Sequence, residues 1–245
     1  MPTTPRPARS EPTPRARARA STMREIVRLG RQHLAVDGAA ALSLRAIARD
    51  LGVVSSAVYR YVRSRDELLT LLLVDGYNEL GDAVDAAVEA VPPDDPRGRW
   101  QALGRAVRRW ALAEPATYAL LYGSPVPGYA APAEETTGPG TRVARAVITL
   151  GAEAYAAGRL RVDEPAGPAP EPTPALAAGL DQVRAEFDAD LPDAVVTRGV
   201  LVWSSLFGAV SFEVFGQYGP DGLGDPEALF EHHLTRLADL LGLPR

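Results

Sequence analysis

From Met23 to Leu241 the apolar side chains recur every three or four positions, and no stretch alternates apolar with polar residues as a half-buried strand would. That period restricts the chain to packed helices, and it predicts an all-α fold. Ile26, Leu29, Gly30, His33 and Leu34 fall on one stripe of a first helix, which Asp37-Gly38 ends. Ser43 caps a short second helix with Ile47, Ala48 and Leu51 inward, closing at Gly52. A third begins near Ser55 or Ser56 and carries Val58, Tyr61 and Val62. Ser64 to Glu67 reads as a capping box ahead of a long periodic run from Leu68 to Val91.

The remaining signals are helical as well. Pro96 opens a helix bearing Trp100, Leu103, Val107 and Trp110, and Glu114-Pro115 breaks it. A short helix through Tyr118 to Tyr122 leads into a stiff turn, Gly123 to Tyr129, and a loop to Gly140. Val143, Val147, Leu150 and Tyr155 mark the next helix; the five prolines between Asp163 and Pro174 call for an extended loop. Leu176, Leu180, Val183 and Phe187 follow. Asp193 caps a helix over 194–217 that is apolar almost all round, and such a helix is either deeply buried or shared with a second subunit. Asp225-Pro226-Glu227 starts the last one, with Leu229, Phe230, His233, Leu234, Leu237, Leu240 and Leu241 on its stripe. Residues 1–21, rich in Pro, Arg and Ala without apolar period, are expected to form a disordered basic arm.

Charge divides the chain more sharply than pattern does. Residues 1–70 carry 13 arginines against six acids, and the remaining residues 13 against 25, for a total of −5. A net +7 head on a net −12 body is the outline of an anion-binding module on an acidic support, and DNA is the obvious polyanion. With no cysteine among 245 residues, disulfides, zinc ribbons and thiol nucleophiles are excluded. No apolar run approaches the roughly 18 residues of a membrane span, so no membrane partner and a cytoplasmic location are expected. His33, His232 and His233 form no metal-binding set, and no phosphate loop, Gly-x-Ser-x-Gly or His-Glu-x-x-His stands in the sequence. Neither a metal, a cofactor nor an enzymatic activity is expected.

Ala48, Gly52 and Val58 stand at the spacing of a helix-turn-helix. A small residue lets the second helix cross closely, glycine takes the turn, and valine packs into the angle. Ser55, Ser56, Ala57, Tyr59 and Arg60 then lie on the outer face of a helix aimed into a major groove. For Tyr59 and Tyr61, core packing is the competing reading.

The run Leu51-Gly-Val-Val-Ser-Ser-Ala-Val-Tyr-Arg-Tyr-Val62, followed by Arg63-Ser-Arg-Asp-Glu-Leu-Leu69, resembles the DNA-binding signature of the TetR family of transcriptional regulators. About fifty residues match in order. Val54 replaces a capping serine, so the recognition helix needs Ser55 as its cap; Val62 replaces phenylalanine and Arg65 replaces lysine. The resemblance implies a DNA-binding domain over 22–70. It places Ser43 and Arg45 on phosphate and base edge, and Ser55, Ser56, Ala57 and Tyr59 in the groove. Tyr61 and Arg65 then fall on phosphates.

Residues 71–245, with Leu121-Tyr-Gly-Ser-Pro125 and Val202-Trp-Ser-Ser-Leu-Phe-Gly208, are similar to the effector-binding half of that family. Trp110, Tyr118, Tyr122, Tyr155, Trp203 and Phe207 could line an apolar pocket or pack as core. Glu213 either meets a ligand or faces solvent. Two apolar helices paired with their symmetry mates make a four-helix bundle, so a homodimer joined mainly through 194–217 and 226–242 is expected, with small Ser204 and Gly208 at the contact. The resemblance implies a repressor bound to a palindromic operator and released by a small hydrophobic effector. The rival is a helical ligand-binding or scaffold protein whose helix-turn-helix has lost DNA affinity.

Overall fold

The computed structural model describes residues 13–162, 171–221 and 223–245. Among them the backbone forms eleven α-helices and one 3₁₀ turn and no strand. Five of the helices start with proline in the first turn, where its missing N–H costs nothing. In four of these a side-chain oxygen just ahead (Thr13, Asp95, Thr173, Asp225) accepts a backbone N–H of the first turn. The helices group into two compact units that divide after Leu72.

The first unit holds α1 (Pro14–Asp37), a 3₁₀ turn (Ala39–Ala41), α2 (Leu44–Asp50), α3 (Ser55–Tyr59) and the opening turns of α4 (Arg65–Glu89). Ile26, Ile47, Val62, Leu68, Leu69 and Leu72 are completely buried. Gly30 allows α1 to cross α4 closely, since a Cβ there would stand 3.2 Å from Leu72 Cδ2. α1 ends at Gly38, which takes φ 75° and donates its N–H to Leu34 O. At the start of α4, Ser64 Oγ accepts the Glu67 N–H at 3.1 Å. The Glu67 carboxylate in turn accepts the Arg63 N–H at 2.6 Å.

The arm expected over 1–21 is corrected from Thr13 onward, because α1 begins at Pro14. Thr13 caps it, Pro14 sets its first dihedral, and the alternating Ala and Arg that follow are among the best helix formers. The rest of that segment, 1–12, lies outside the described residues.

The second unit is built around α5 (Pro96–Ala113) and α10 (Asp193–Val214). α5 packs on α6 (Pro115–Tyr122), α8 (Arg142–Ala156), α10 and α11 (Pro226–Leu241). α10 packs on α5, α8, α9 (Pro174–Phe187) and α11. Trp100 sits at the centre, fully buried, and its indole N–H donates to Leu234 O at 2.9 Å. Leu103, Val107, Val202, Leu206, Val210 and Leu234 complete this centre; truncating any one to alanine should cost ~2–5 kcal/mol.

Three expectations need correction here. A short helix, α7 (Ala133–Gly140), occupies the segment read as loop, because Pro132 and the acids Glu134 and Glu135 favour a helix start despite Pro139. α10 has the length and mean hydropathy, 1.5 over an 18-residue window, that would suffice to cross a membrane. Core packing on four helices accounts for part of that apolarity, while Val200, Leu201, Trp203 and Phe212 remain exposed. Finally, Asp193 is the first helical residue of α10 and Pro192 its cap. The proline-rich loop falls mostly on 163–170, outside the described residues.

Candidate functional site

α2 and α3 pack against each other through Ala48, 1% exposed, and Val58, 2% exposed, while Gly52 between them takes φ 69°. A Cβ on Gly52 would touch nothing, so the glycine is required by its dihedral alone. Ser43 Oγ caps α2 by accepting the Ala46 N–H at 3.5 Å. The start of α3 differs from expectation: Val54 is the cap residue, with no side-chain bond, and Ser55 is already helical. Ser55 therefore does not replace the missing capping serine.

The outer face of α3 presents Ser56, Tyr59 and Arg60 to solvent, with Ser55 and Ala57 half-buried beside them. Tyr59 is 42% exposed, which removes it from the core. Arg45 is exposed on α2. Tyr61 is half-buried, and the Arg19 guanidinium lies over its ring at 5.1 Å. Arg65 is held within its own unit, donating to Ala39 O at 2.9 Å and standing 3.6 Å from the Asp66 carboxylate. His33, read as a core residue, has its Nε2 2.6 Å from Asp50 Oδ2 and so ties α1 to the end of α2.

Sequence reasoning missed part of this surface. The first turns of α1 carry Arg15, Arg17 and Arg19, all exposed, and the signal that would have found them is Thr13-Pro14, a cap followed by an N1 proline.

In the second unit the aromatic residues form a connected chain. Tyr122 has its ring centre 5.1 Å from Tyr118 and 4.5 Å from Phe207, Phe207 stands 5.8 Å from Trp203, and Tyr77 meets Tyr122 edge-on at 6.0 Å. Tyr118 is fully buried, with its hydroxyl 2.8 Å from Ser211 Oγ. Burial raises the phenol pKa of Tyr77, Tyr118 and Tyr122 above the ordinary tyrosine value, the hydrogen bond from Ser211 partly opposing it at Tyr118. Trp110 is buried in the core; Tyr155 is exposed. Glu213 does not face open solvent: its two carboxylate oxygens accept from Arg108 at 2.8 and 2.7 Å, tying α10 to α5. That hydrogen-bonded carboxylate raises the Arg108 pKa.

A cavity of about 170 Å³ opens elsewhere in this unit, between α8, α9 and α10. Val147, Ile148, Val183, Phe187, Val196 and Trp203 are among its walls. Of the seven side chains singled out as ligand contacts, only Trp203 lines it; Tyr118, Tyr122 and Phe207 instead pack on one another.

The arrangement has close counterparts among known proteins. Residues 26–72 match the family described as bacterial regulatory proteins, tetR family, and residues 100–237 match the tetracyclin repressor-like C-terminal domain. The HTH-type transcriptional regulator Rv1816 of Mycobacterium tuberculosis is 49% identical over 224 residues, spanning 91% of this chain and 94% of its own. The crystal structure of regulatory protein SCO4313 superposes with a TM-score of 0.74 at 34% identity, covering 93% of this chain and all of that one. A protein of unknown function from Rhodococcus sp. RHA1 shares the fold, with a TM-score of 0.63 at 24% identity over 91% of this chain and 95% of its own. With a helix-turn-helix whose outer face is solvent-exposed and a helical second unit, the chain belongs to the TetR family and is a DNA-binding transcriptional regulator.

Proposed function

We propose that the protein is a homodimeric repressor that leaves a pseudopalindromic operator when a small hydrophobic molecule enters its second unit. The observation that carries the DNA half of this reading is the exposed face of α3, with Ser56, Tyr59 and Arg60 outward and Arg45 on α2. Small side chains allow close approach to base edges, hydroxyls and guanidinium groups reach phosphates, and Tyr59 supplies an apolar surface for a thymine methyl. Ser43, Ser55, Ala57, Tyr61 and Arg65 complete the proposed contact set. Ser43 acts through its cap and Arg65 through its anchored position at the start of α4.

Dimerisation is supported by an apolar surface on α10 and α11. Leu201, Phe212 and Leu240 are exposed, and a groove between the two helices is lined by Gly208, Ala209, Phe212 and Leu237, with Ser205, Tyr218, His233 and Arg236 at its polar edge. A second copy covers this face best, because two helices meeting their symmetry mates make a four-helix bundle with a closed two-fold. The dimer presents two copies of α3, which calls for operator half-sites about one helical turn, ~34 Å, or slightly more apart.

The link to an effector is α4, which starts in the first unit at Arg65 and contributes Leu80 and Val84 to the core of the second. A ligand that favours one placement of α4 changes operator affinity through it. Sequencing genomic fragments retained by the purified protein tests the reading. Enrichment of a pseudopalindrome is the expected outcome, and retention no better than for random DNA favours a helical ligand-binding protein without operator affinity.

A further inference from the structure

The cavity between α8, α9 and α10 has properties that select its occupant. Gly151 on α8 is buried, yet a Cβ built on it would meet nothing within 4 Å, so this glycine faces empty space in the interior. Gly199 on α10 likewise has open space over its α-carbon. Neither has the positive φ that would require glycine, and a helix interior disfavours it. Both line the cavity. At these two positions the fold forgoes side chains that would fill the void.

The walls offer almost nothing polar. Val147, Ile148, Val183, Phe187, Leu191 and Val196 are aliphatic or aromatic, and among the described residues Arg184 is the one charged side chain in the lining. Its guanidinium is already engaged, with one nitrogen donating to Asp193 Oδ1 at 2.8 Å and Leu191 O at 3.1 Å, and another to Asp181 Oδ1 at 2.6 Å. Those bonds clamp α9 to the start of α10. A carboxylate entering this cavity would lose its hydration to a cation that two carboxylates already hold.

We infer that this cavity, and not the aromatic cluster of Tyr118, Tyr122 and Phe207, is the effector site, and that it takes a neutral, apolar molecule about the size of one aromatic ring. Size supports the class: an apolar cavity of ~150 Å³ lined by Leu, Ile and Phe stays dry and binds benzene. Trp203 at the wall supplies an edge or face for a ring. The inference rests on the proposed induction only for the word effector; the cavity and its ligand class stand on the lining.

Toluene and benzoate, nearly equal in shape and different in charge, are the probes. Binding to the full chain is followed by isothermal titration calorimetry, without DNA. Toluene should bind with a sub-millimolar Kd and benzoate at least tenfold more weakly. Gly151→Leu, which fills the cavity from α8, should weaken toluene binding at least tenfold while circular dichroism remains helical. Gly199→Leu, which fills it from α10, provides the same test should the first variant fail to fold. No toluene binding, equal binding of benzoate, or undiminished binding by a folded glycine variant would overturn the inference. Operator retention is measured separately with toluene present. Toluene that binds without releasing DNA counts against the induction reading alone, and release by a charged compound that ignores both glycine variants counts against the cavity alone.

Discussion

The Arg19 guanidinium stands 5.1 Å from the centre of the Tyr61 ring, joining the N-terminal turns of α1 to the end of the helix-turn-helix. Those turns bury no side chain: Thr13 to Ser21 are all exposed. A helical extension that buries no side chain contributes little to folding, and exposed Arg19, whose stacking contact is worth about 0.5–1 kcal/mol, is within reach of a phosphate. Arg19→Ala should therefore lower operator affinity and reduce the slope of log K against log salt by about 0.9, the share of one phosphate contact. Binding isotherms at four salt concentrations measure it, and an unchanged slope would assign Arg19 to folding alone.

The pair Arg108 and Glu213 yields a prediction about stability. Their side chains are 17% and 12% exposed, and both carboxylate oxygens are used. Glu213→Gln leaves a half-buried guanidinium with a weaker acceptor and should cost about 1.5–3 kcal/mol in urea unfolding. Replacing both residues by methionine should recover part of that loss, because the apolar pair no longer pays for desolvation. A double variant less stable than the sum of the singles would contradict this account.

Tyr77, Tyr118 and Tyr122 predict an alkaline limit. Each has its pKa raised by burial above the ordinary 10.0 of an unfolded tyrosine. A raised folded pKa means that the unfolded chain gives up its protons first. The stability held by the neutral phenols is full below pH 10 and is lost as pH climbs through the folded values. The melting temperature should fall from about pH 10 upward, and Tyr122→Phe should make that fall shallower. Thermal melts between pH 8 and 11 decide it.

These residues also mark what is legible in the sequence. Ser43, Gly38, Gly52, Ser64, Pro96 and Asp225 are read correctly as caps and breaks, because each acts on backbone groups within four residues of itself. Tyr118, Tyr122 and Phe207 fall on inward or partly inward helix positions and Trp203 on an exposed one, but periodicity says nothing about which partners they meet. The cavity is missed for that reason. Its walls come from three helices, and its defining residues, Gly151 and Gly199, signal only by lacking a side chain. The Arg108–Glu213 pair spans 105 positions and leaves no local trace.

Gly208 tests the placement of the dimer. A Cβ there meets nothing within 4 Å, so the position is open in the single chain, and a large side chain is expected to collide with a second copy lying across α10. Gly208→Trp should yield helical monomers in light scattering at concentrations where the parent chain is dimeric, and operator affinity should fall with the loss of the second α3. An intact dimer would move the interface away from Ser204 and Gly208.

The coupling between ligand and DNA is the last prediction, and it follows from α4 belonging to both units. A ligand can shift α4 only by binding its two placements with different affinity, and a coupling of ~1–3 kcal/mol would weaken operator binding some five- to 150-fold. Linkage requires the reverse effect at the same size: saturating operator must weaken ligand binding by that factor. Leu80→Ala removes a fully buried contact of α4 with the second unit's core and should reduce both factors together. Titrating one ligand with and without saturating operator, in the parent chain and in Leu80→Ala, gives all four affinities. Equal ligand affinities with and without operator in the parent chain would mean that the second unit binds its ligand without informing the helix-turn-helix.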